Sequence, residues 1–367
     1  MENVIRAKTT NLIATRPLNM KRQANSELNI QEMKNGTVLL KSRPRRLVFE
    51  LTSSCNLNCI MCGRNAAEFK PSFFDINWFN KFEGIFDEIE EVTLMGWGEP
   101  TIHPNFSKML EFLHSKGVRI YFCTNGMKLD KLKKEIFEHQ IDVFAVSLDG
   151  ANEKTNSQIR CGSDFNHIVG SLKEIVKLKK EKKLQFPYIN FVFTAMQRNL
   201  YEIPDLVRLA SDIGIEEVKI VYLTAFEEEM AKEILIDHME KVRSIFEEAV
   251  KIAQERNILI KLPYIKGHDV AEDKAHKDCF TTYRDFFLGS DGYVRACMSN
   301  SIKLFHIDKY NDFDSAWNSP ELMDWRKRVN TAEMYDPCKT CYQSSFANWN
   351  KKYAFDQRTE AFSPKWD

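Results

Sequence analysis

Between residues 46 and 223 the sequence repeats one pattern six times, a short and nearly continuous apolar run followed by a stretch with helical periodicity. The runs are 47–54, 91–95, 119–123, 142–148, 188–194 and 218–223. Strands apolar on both faces are covered on both faces, which fits a parallel sheet. Between the runs, Trp78, Phe82, Ile85, Phe86 and Ile89 share one helical face, as do Ile168, Leu172, Ile175, Val176 and Leu178. Shorter helical patterns cover 106–113, 129–137 and 205–211. This alternation predicts a parallel sheet with helices on one face, and right-handed crossovers curl such a sheet toward a barrel. Residues 225–256 read as a charged helix with an apolar packing face, and 258–262 as one more short strand that closes this part of the chain.

Directly after the first run stands Cys55-Asn-Leu-Asn-Cys59-Ile-Met-Cys62, three thiols within eight residues. Three thiolates on a 4Fe-4S cluster leave the fourth iron open to another ligand. A zinc knuckle and three unrelated buried thiols are the other readings of the trio, although zinc sites usually close to four Cys or His ligands and no fourth lies nearby. The spacing, three residues and then two, resembles the signature of the radical S-adenosylmethionine (radical SAM) superfamily, with Met61 where many members carry an aromatic residue.

That resemblance implies an open, six-stranded partial TIM barrel with the cluster loop after its first strand, and an active site at the C-terminal strand ends. It implies that SAM chelates the open iron and that reductive cleavage yields a 5'-deoxyadenosyl radical, which takes a hydrogen atom from the substrate. A flavodoxin- or ferredoxin-like protein is the electron donor expected with it. The strand ends carry matching motifs. Gly96-Trp97-Gly98-Glu99-Pro100 resembles the family's Gly-Gly-Glu-Pro segment, with Trp97 interposed at the glycine step; its backbone suits the SAM ammonium. Met61 is expected to meet adenine through its backbone, Ser147 to hydrogen-bond the ribose, and Arg160 to pair with the SAM carboxylate. For Arg160 the alternative is an exposed ion pair. Thr124 and Asn125, at the third strand end, are either cofactor contacts or turn formers.

Farther on, Cys279 and Cys297 are separated by seventeen residues, and Cys338-Lys-Thr-Cys341 completes a set of four. Ser290-Asp291-Gly292 between apolar residues predicts a β-hairpin presenting Cys297, and Ser319-Pro320-Glu321 predicts a helix start. The four cysteines alone also suit a zinc ribbon. Their arrangement resembles the SPASM auxiliary-cluster extension and its shortened twitch form, which implies a second, auxiliary 4Fe-4S cluster. The expected fold is thus α/β, a partial (β/α)6 TIM-like barrel with a small C-terminal α+β twitch/SPASM-like iron-sulfur domain. The divisions expected are a basic, loosely ordered arm over 1–45, the barrel over 46–265, the auxiliary domain over 266–350 and a tail over 351–367. The arm is either a solvated lead-in or a dock for an acidic partner or leader peptide.

Two cysteines remain. Cys123 and Cys161 are either packing residues or hydrogen-atom donors, with Cys161, beside Arg160, the catalytic candidate. An auxiliary cluster with four thiolates suits electron transfer, so the expected reaction is two-electron oxidation of a small polar molecule such as a carbohydrate or aminocyclitol. Maturation of a ribosomally made peptide by cross-linking or epimerisation is the alternative, and a non-catalytic iron-sulfur protein the third reading. Lys plus Arg and Asp plus Glu each number 52, which gives no electrostatic reason to expect nucleic acid or an anionic membrane as partner. No apolar run reaches spanning length and the polar start is no secretory signal, so a cytoplasmic address is expected. The nine cysteines fit a reducing compartment better than a disulfide framework.

Overall fold

The computed structural model describes residues 18–66, 70–263, 279–298 and 302–343. The tail, the basic arm up to residue 17, the expected boundary at 265 and the side chain of Cys341 lie outside the described residues.

The six apolar runs form β1 (Arg46–Phe49), β2 (Glu91–Leu94), β3 (Arg119–Thr124), β4 (Val143–Ser147), β5 (Tyr188–Ala195) and β6 (Glu217–Tyr222). A short β7 (Leu259–Lys261) follows, as expected, and β8 (Asp285–Leu288), β9 (Tyr293–Arg295) and β10 (Phe305–His306) come from the C-terminal part. They make one sheet in the order β10-β9-β8-β1-β2-β3-β4-β5-β6-β7, parallel from β8 to β7 and antiparallel from β8 to β10. Residues of β8 and β6 line one cavity although five strands separate them. In a flat sheet six spacings would hold them about 29 Å apart, so the sheet is curled into a partial barrel.

The crossovers carry a 3-10 helix over Ile76–Ile85 and then α2 (Phe106–Ser115), α3 (Leu129–Glu138), α4 (Phe165–Glu181), α5 (Ile203–Ile213) and α6 (Met239–Glu255). Local chemistry sets their ends. Asp164 caps α4 by accepting from the His167 N–H at 2.8 Å, and Lys179 and Lys180 sit in its last turn. Pro204 opens α5, and Gly214 ends it at φ 94°, where a side chain would be strained. The segment 74–89 packs its apolar face as expected, but over a tighter helix than the spacing implies, and it buries Phe79 as well.

Two expectations are corrected. The arm is not loosely ordered where it is described: α1 (Met20–Lys34) is a regular helix with Asn19 as its cap. Its buried face is polar but for Met33. Arg22 donates to the carbonyls of Phe86, Lys116 and Gly117, Asn25 to those of Arg43 and Glu88, and Asn29 to that of Tyr283, so the helix docks by satisfying backbone groups of the barrel floor. The part of the auxiliary domain described from 279 onward also has no core of its own. β8 pairs directly with β1, and Phe82 of the barrel meets Phe286 and Phe313 at ring distances of 5.8 and 5.4 Å. The hairpin at Ser290–Gly292 and α7 (Pro320–Arg328), capped by Ser319, form as read from the sequence. Cys338 stands on α8 (Asp336–Gln343).

Candidate functional site

The cluster loop leaves β1 at Glu50 and is held at both ends. The Thr52 hydroxyl donates to the Ser72 carbonyl at 2.8 Å and accepts from the Ser54 N–H at 3.0 Å. A turn from the Cys62 N–H to the Cys59 carbonyl, 3.1 Å, closes its far side. Asn58–Cys59 pairs as a short antiparallel ribbon with Arg160–Cys161, in the register Cys59↔Arg160. The ribbon brings an arginine 101 residues away onto the thiols, with a guanidinium nitrogen 4.0 Å from the Cys59 sulfur. The Asn125 amide lies 3.8 Å from the Cys55 sulfur and donates to Asn56 at 2.8 Å.

Burial pushes the Cys59 thiol up to about 11, against the pull of Arg160, and raises Cys55 as well. Neighbouring Cys62 adds to both shifts, so the three sulfurs share one neighbourhood. Soft thiol donors gathered on one loop, with N–H groups aimed at two of the sulfurs, fit an iron-sulfur cluster, whose binding must displace the protons. Arg160 is buried and pairs with fully buried Asp149 at 2.7 Å. Burial works against its charge, Asp149 and the cysteine sulfurs outweigh it, and its pKa is raised. The exposed ion pair weighed for Arg160 is therefore a buried one.

The Gly-Trp-Gly-Glu-Pro turn packs against the same loop. A Cβ at Gly98 would lie 2.2 Å from the Thr52 carbonyl oxygen and 2.3 Å from that of Ser54, so only glycine lets the backbones meet. The Glu99 carboxylate is 3% exposed and accepts from Thr101, from the Thr124 hydroxyl at 2.7 Å and from the Asn125 N–H at 2.7 Å. Glu99 and Thr124 thus tie the second strand end to the third with side chains that face the protein, and Thr124 also accepts from the Gly126 N–H at 3.1 Å, the turn-forming role weighed for it. Pro100 is buried at the start of a 3-10 turn. Gly96 and Met61 do reach open space, as two walls of a cavity of about 250 Å³. Ser147 is half-buried at the end of β4.

Strand parity separates the two leftover cysteines. Along the ribbon, Cys59 and Arg160 share a face, so Cys161 points with Asn58 to the other; its thiol donates to the Gln158 carbonyl at 3.6 Å. Cys161 therefore points to the face opposite that of Cys59 and Arg160. Cys123 faces into the barrel, its sulfur 3.5 Å from the Ser147 hydroxyl.

The cavity lies between the cluster loop and the C-terminal module. Trp97, Val221 and Leu223 on the barrel side face Phe287 and Met298, the latter next to Cys297. Trp97 and Phe226 meet edge to face at 5.4 Å, and the lining is mostly apolar. In the C-terminal module Cys279 is held by Asn330, whose side chain exchanges two hydrogen bonds with its backbone at 2.8 and 3.0 Å. Burial pushes the Cys338 thiol up to about 11, with Cys279 close enough to add to the shift. Sequence reasoning missed Glu50, Phe226 and Met298; no local pattern marks them.

Comparison with known proteins agrees with this geometry. Residues 279–342 match an iron-sulfur cluster-binding domain of the SPASM type. The chain is 26% identical over 319 residues, 80% of its length and 86% of the other's, to the tungsten-containing aldehyde ferredoxin oxidoreductase cofactor-modifying protein of Pyrococcus furiosus. It is 23% identical to the subtilosin biosynthesis protein AlbA of Bacillus subtilis, over 76% of this chain and 60% of AlbA. It is 27% identical to mycofactocin maturase MftC of Mycobacterium tuberculosis, spanning only 43% of that protein's length. Streptococcus suis SuiB bound to S-adenosylmethionine shares the fold at a TM-score of 0.62 and 16% identity, over 83% of this chain and 72% of SuiB. A cluster with S-adenosylmethionine at the first module and auxiliary iron-sulfur binding at the second are the cofactors of such an enzyme. Since the radical SAM profile itself covers residues 49–235, half of the sequence and all six barrel strands but the first three residues of β1, the chain belongs to the radical SAM superfamily.

Proposed function

We propose that this chain is a radical SAM maturase that oxidises a peptide at an apolar or aromatic side chain seated in the cavity between the cluster loop and the C-terminal module. The observation that carries the reading is the lining of that cavity. Trp97, Leu223, Phe226, Phe287 and Met298 offer a dry, polarisable wall, whereas a carbohydrate or aminocyclitol needs a hydroxyl partner at nearly every position. The relatives lean the same way, since AlbA and MftC are named for maturation and biosynthesis, and SuiB has been seen with its precursor peptide SuiA.

In this reading Cys55, Cys59 and Cys62 hold the SAM-binding cluster, and Cys279, Cys297, Cys338 and Cys341 hold an auxiliary one. When bound, these groups supply a strong hydrogen-atom acceptor and a site for the second electron. The chain's own residues do the rest. Met61, Gly96, Gly98 and Asn125 shape the SAM pocket through backbone and amide groups, Ser147 offers a hydroxyl and Arg160 a charge. The apolar wall orients the substrate and keeps water out.

The test is anaerobic turnover of the reconstituted, reduced protein with S-adenosylmethionine, using a pool of synthetic peptides rich in apolar and aromatic residues beside a panel of sugars and aminocyclitols. Peptides that raise 5'-deoxyadenosine formation and lose two hydrogens support the proposal. Stimulation confined to the sugar or aminocyclitol panel would overturn it.

A further inference from the structure

The end of β1 carries a buried carboxylate that the cluster and SAM assignments leave unused. Glu50 is 6% exposed. One of its oxygens accepts from the Trp97 N–H at 2.8 Å; the other accepts from the Ser290 hydroxyl at 3.1 Å and the Ser290 N–H at 3.4 Å. Trp97 belongs to the SAM-motif turn. Ser290 belongs to the turn of the β8–β9 hairpin, 240 residues along the chain. One side chain therefore joins the two turns that face each other near the cavity.

The surroundings are fitted to it. A Cβ at Gly96 would lie 2.3 Å from the Glu50 Cγ and 2.6 Å from its Oε1, so the glycine makes room for this carboxylate. The Ser290 hydroxyl also lies 2.7 Å from that of Ser72, which lies 3.0 Å from that of Ser53, two residues before Cys55. Arg295 of the same hairpin, clamped by Asp291 at 2.8 and 3.0 Å, places a positive charge nearby. The contacts thus run from the C-terminal module through Glu50 to both the SAM turn and the root of the cluster loop.

We propose that Glu50 is a positioning residue that seats the C-terminal hairpin turn on the Gly96–Trp97 turn, so that the seating of the auxiliary module governs the cavity wall and restrains SAM cleavage when substrate is absent. The inference rests on the cavity being the substrate site, but its test needs no substrate. Amide hydrogen exchange is followed on the reconstituted holoprotein, together with 5'-deoxyadenosine formed without substrate and iron per chain. A hydrogen bond to a buried charge is strong enough that its loss speeds local opening about tenfold. Glu50→Ala should therefore speed exchange about tenfold at both turns and raise substrate-free cleavage severalfold, with iron content unchanged. Ser290→Ala is the milder variant, which removes one hydroxyl. Faster exchange should reach residues 96–99 from this distant change. Exchange altered only in the hairpin, or unaltered substrate-free cleavage in both variants, would overturn the proposal, as would loss of cluster iron in Ser290→Ala. A substrate that proves not to be a peptide changes none of these readings.

Discussion

Gly63, the residue after the third cluster cysteine, is where the cavity wall leans on the cluster loop. A Cβ there would lie 2.6 Å from the Trp97 Cζ3, 3.0 Å from its Cη2 and 3.1 Å from the Phe226 Cδ2. Carbon contacts settle at about 3.5–4.0 Å, so Gly63→Ala must push the indole back by about 1 Å against Phe226. Overpacking of this kind costs about 2 kcal/mol, whereas alanine for glycine at an ordinary backbone angle would otherwise gain about 0.5 kcal/mol. With about 2.1 cal/mol/K of unfolding entropy per residue, 2 kcal/mol lowers the melting point of a cooperative unit this large by about 3 °C. Trp97→Leu removes the six-membered ring that causes the crowding. In that background Gly63→Ala should become neutral or slightly stabilising, a coupling of about 2 kcal/mol in a double-mutant cycle. The assay is thermal unfolding of the four anaerobically reconstituted proteins, with iron per chain measured on each. Additivity of the two single shifts within about 0.5 kcal/mol would refute the steric account of why this position is glycine.

Replacing Cys55, Cys59 and Cys62 together by Ala should abolish SAM cleavage and leave roughly four irons per chain; retained cleavage in a 5'-deoxyadenosine assay would sink their assignment. Arg160→Lys keeps the charge beside Asp149 but loses the planar fork, so SAM affinity by equilibrium dialysis should fall about tenfold. Asp285 is clamped by Arg46 at 2.5 and 3.1 Å and by Arg284 at 2.7 and 2.9 Å. Burial alone would raise its pKa, but the two guanidiniums outweigh it and hold the carboxyl well below its ordinary value. Its stabilisation is therefore present above the unfolded-state pKa of about 4 and is lost as pH falls below it. Asp285→Asn, which removes a buried carboxylate's charge from between two partly buried guanidiniums, should cost about 3 kcal/mol at neutral pH and flatten the acid limb of the melting-temperature profile.

What could be read from the chain follows from where the information lies. β1 to β6 announce themselves because each is apolar over consecutive residues, and the cysteine loop because three cysteines fall within eight residues. Ser290–Gly292 and Ser319-Pro320 are equally local, and both form as read. α1 was hidden because its buried stripe, Met33 apart, is Arg22, Asn25, Ser26, Asn29 and Glu32, spaced as a helical face but made of side chains that serve polar groups of the barrel floor and the following chain instead of filling an apolar core. Hydrophobic periodicity does not detect such a face. The direction of Cys161 is set by the register Cys59↔Arg160 of a two-residue ribbon, and a shift of one residue in that pairing would have reversed it, whereas Cys123 owes its place to the inward face of β3. The motif places Glu99 at the cofactor turn; only the fold shows Thr101, Thr124 and Asn125 occupying its side-chain oxygens.

The position of β1 explains why the two modules share one sheet. β1 has β2 on one side and β8 on the other, in register from Arg46↔Asp285 to Phe49↔Leu288, and the Glu50 N–H continues the ladder to the Leu288 carbonyl at 3.0 Å. The strand that carries the cluster loop thus takes half of its ladder partners from the C-terminal module. A strand so short gains little from its own residues, and removing β8 would open an edge on β1 and take away the Asp285 carboxylate that pairs with Arg46 and the Phe286 ring that packs on Phe82. The auxiliary module is therefore part of the scaffold that holds the first cluster loop in place. Its hairpin turn meets the SAM motif at Glu50, where the rigid ladder ends and the loops that shape the cavity begin.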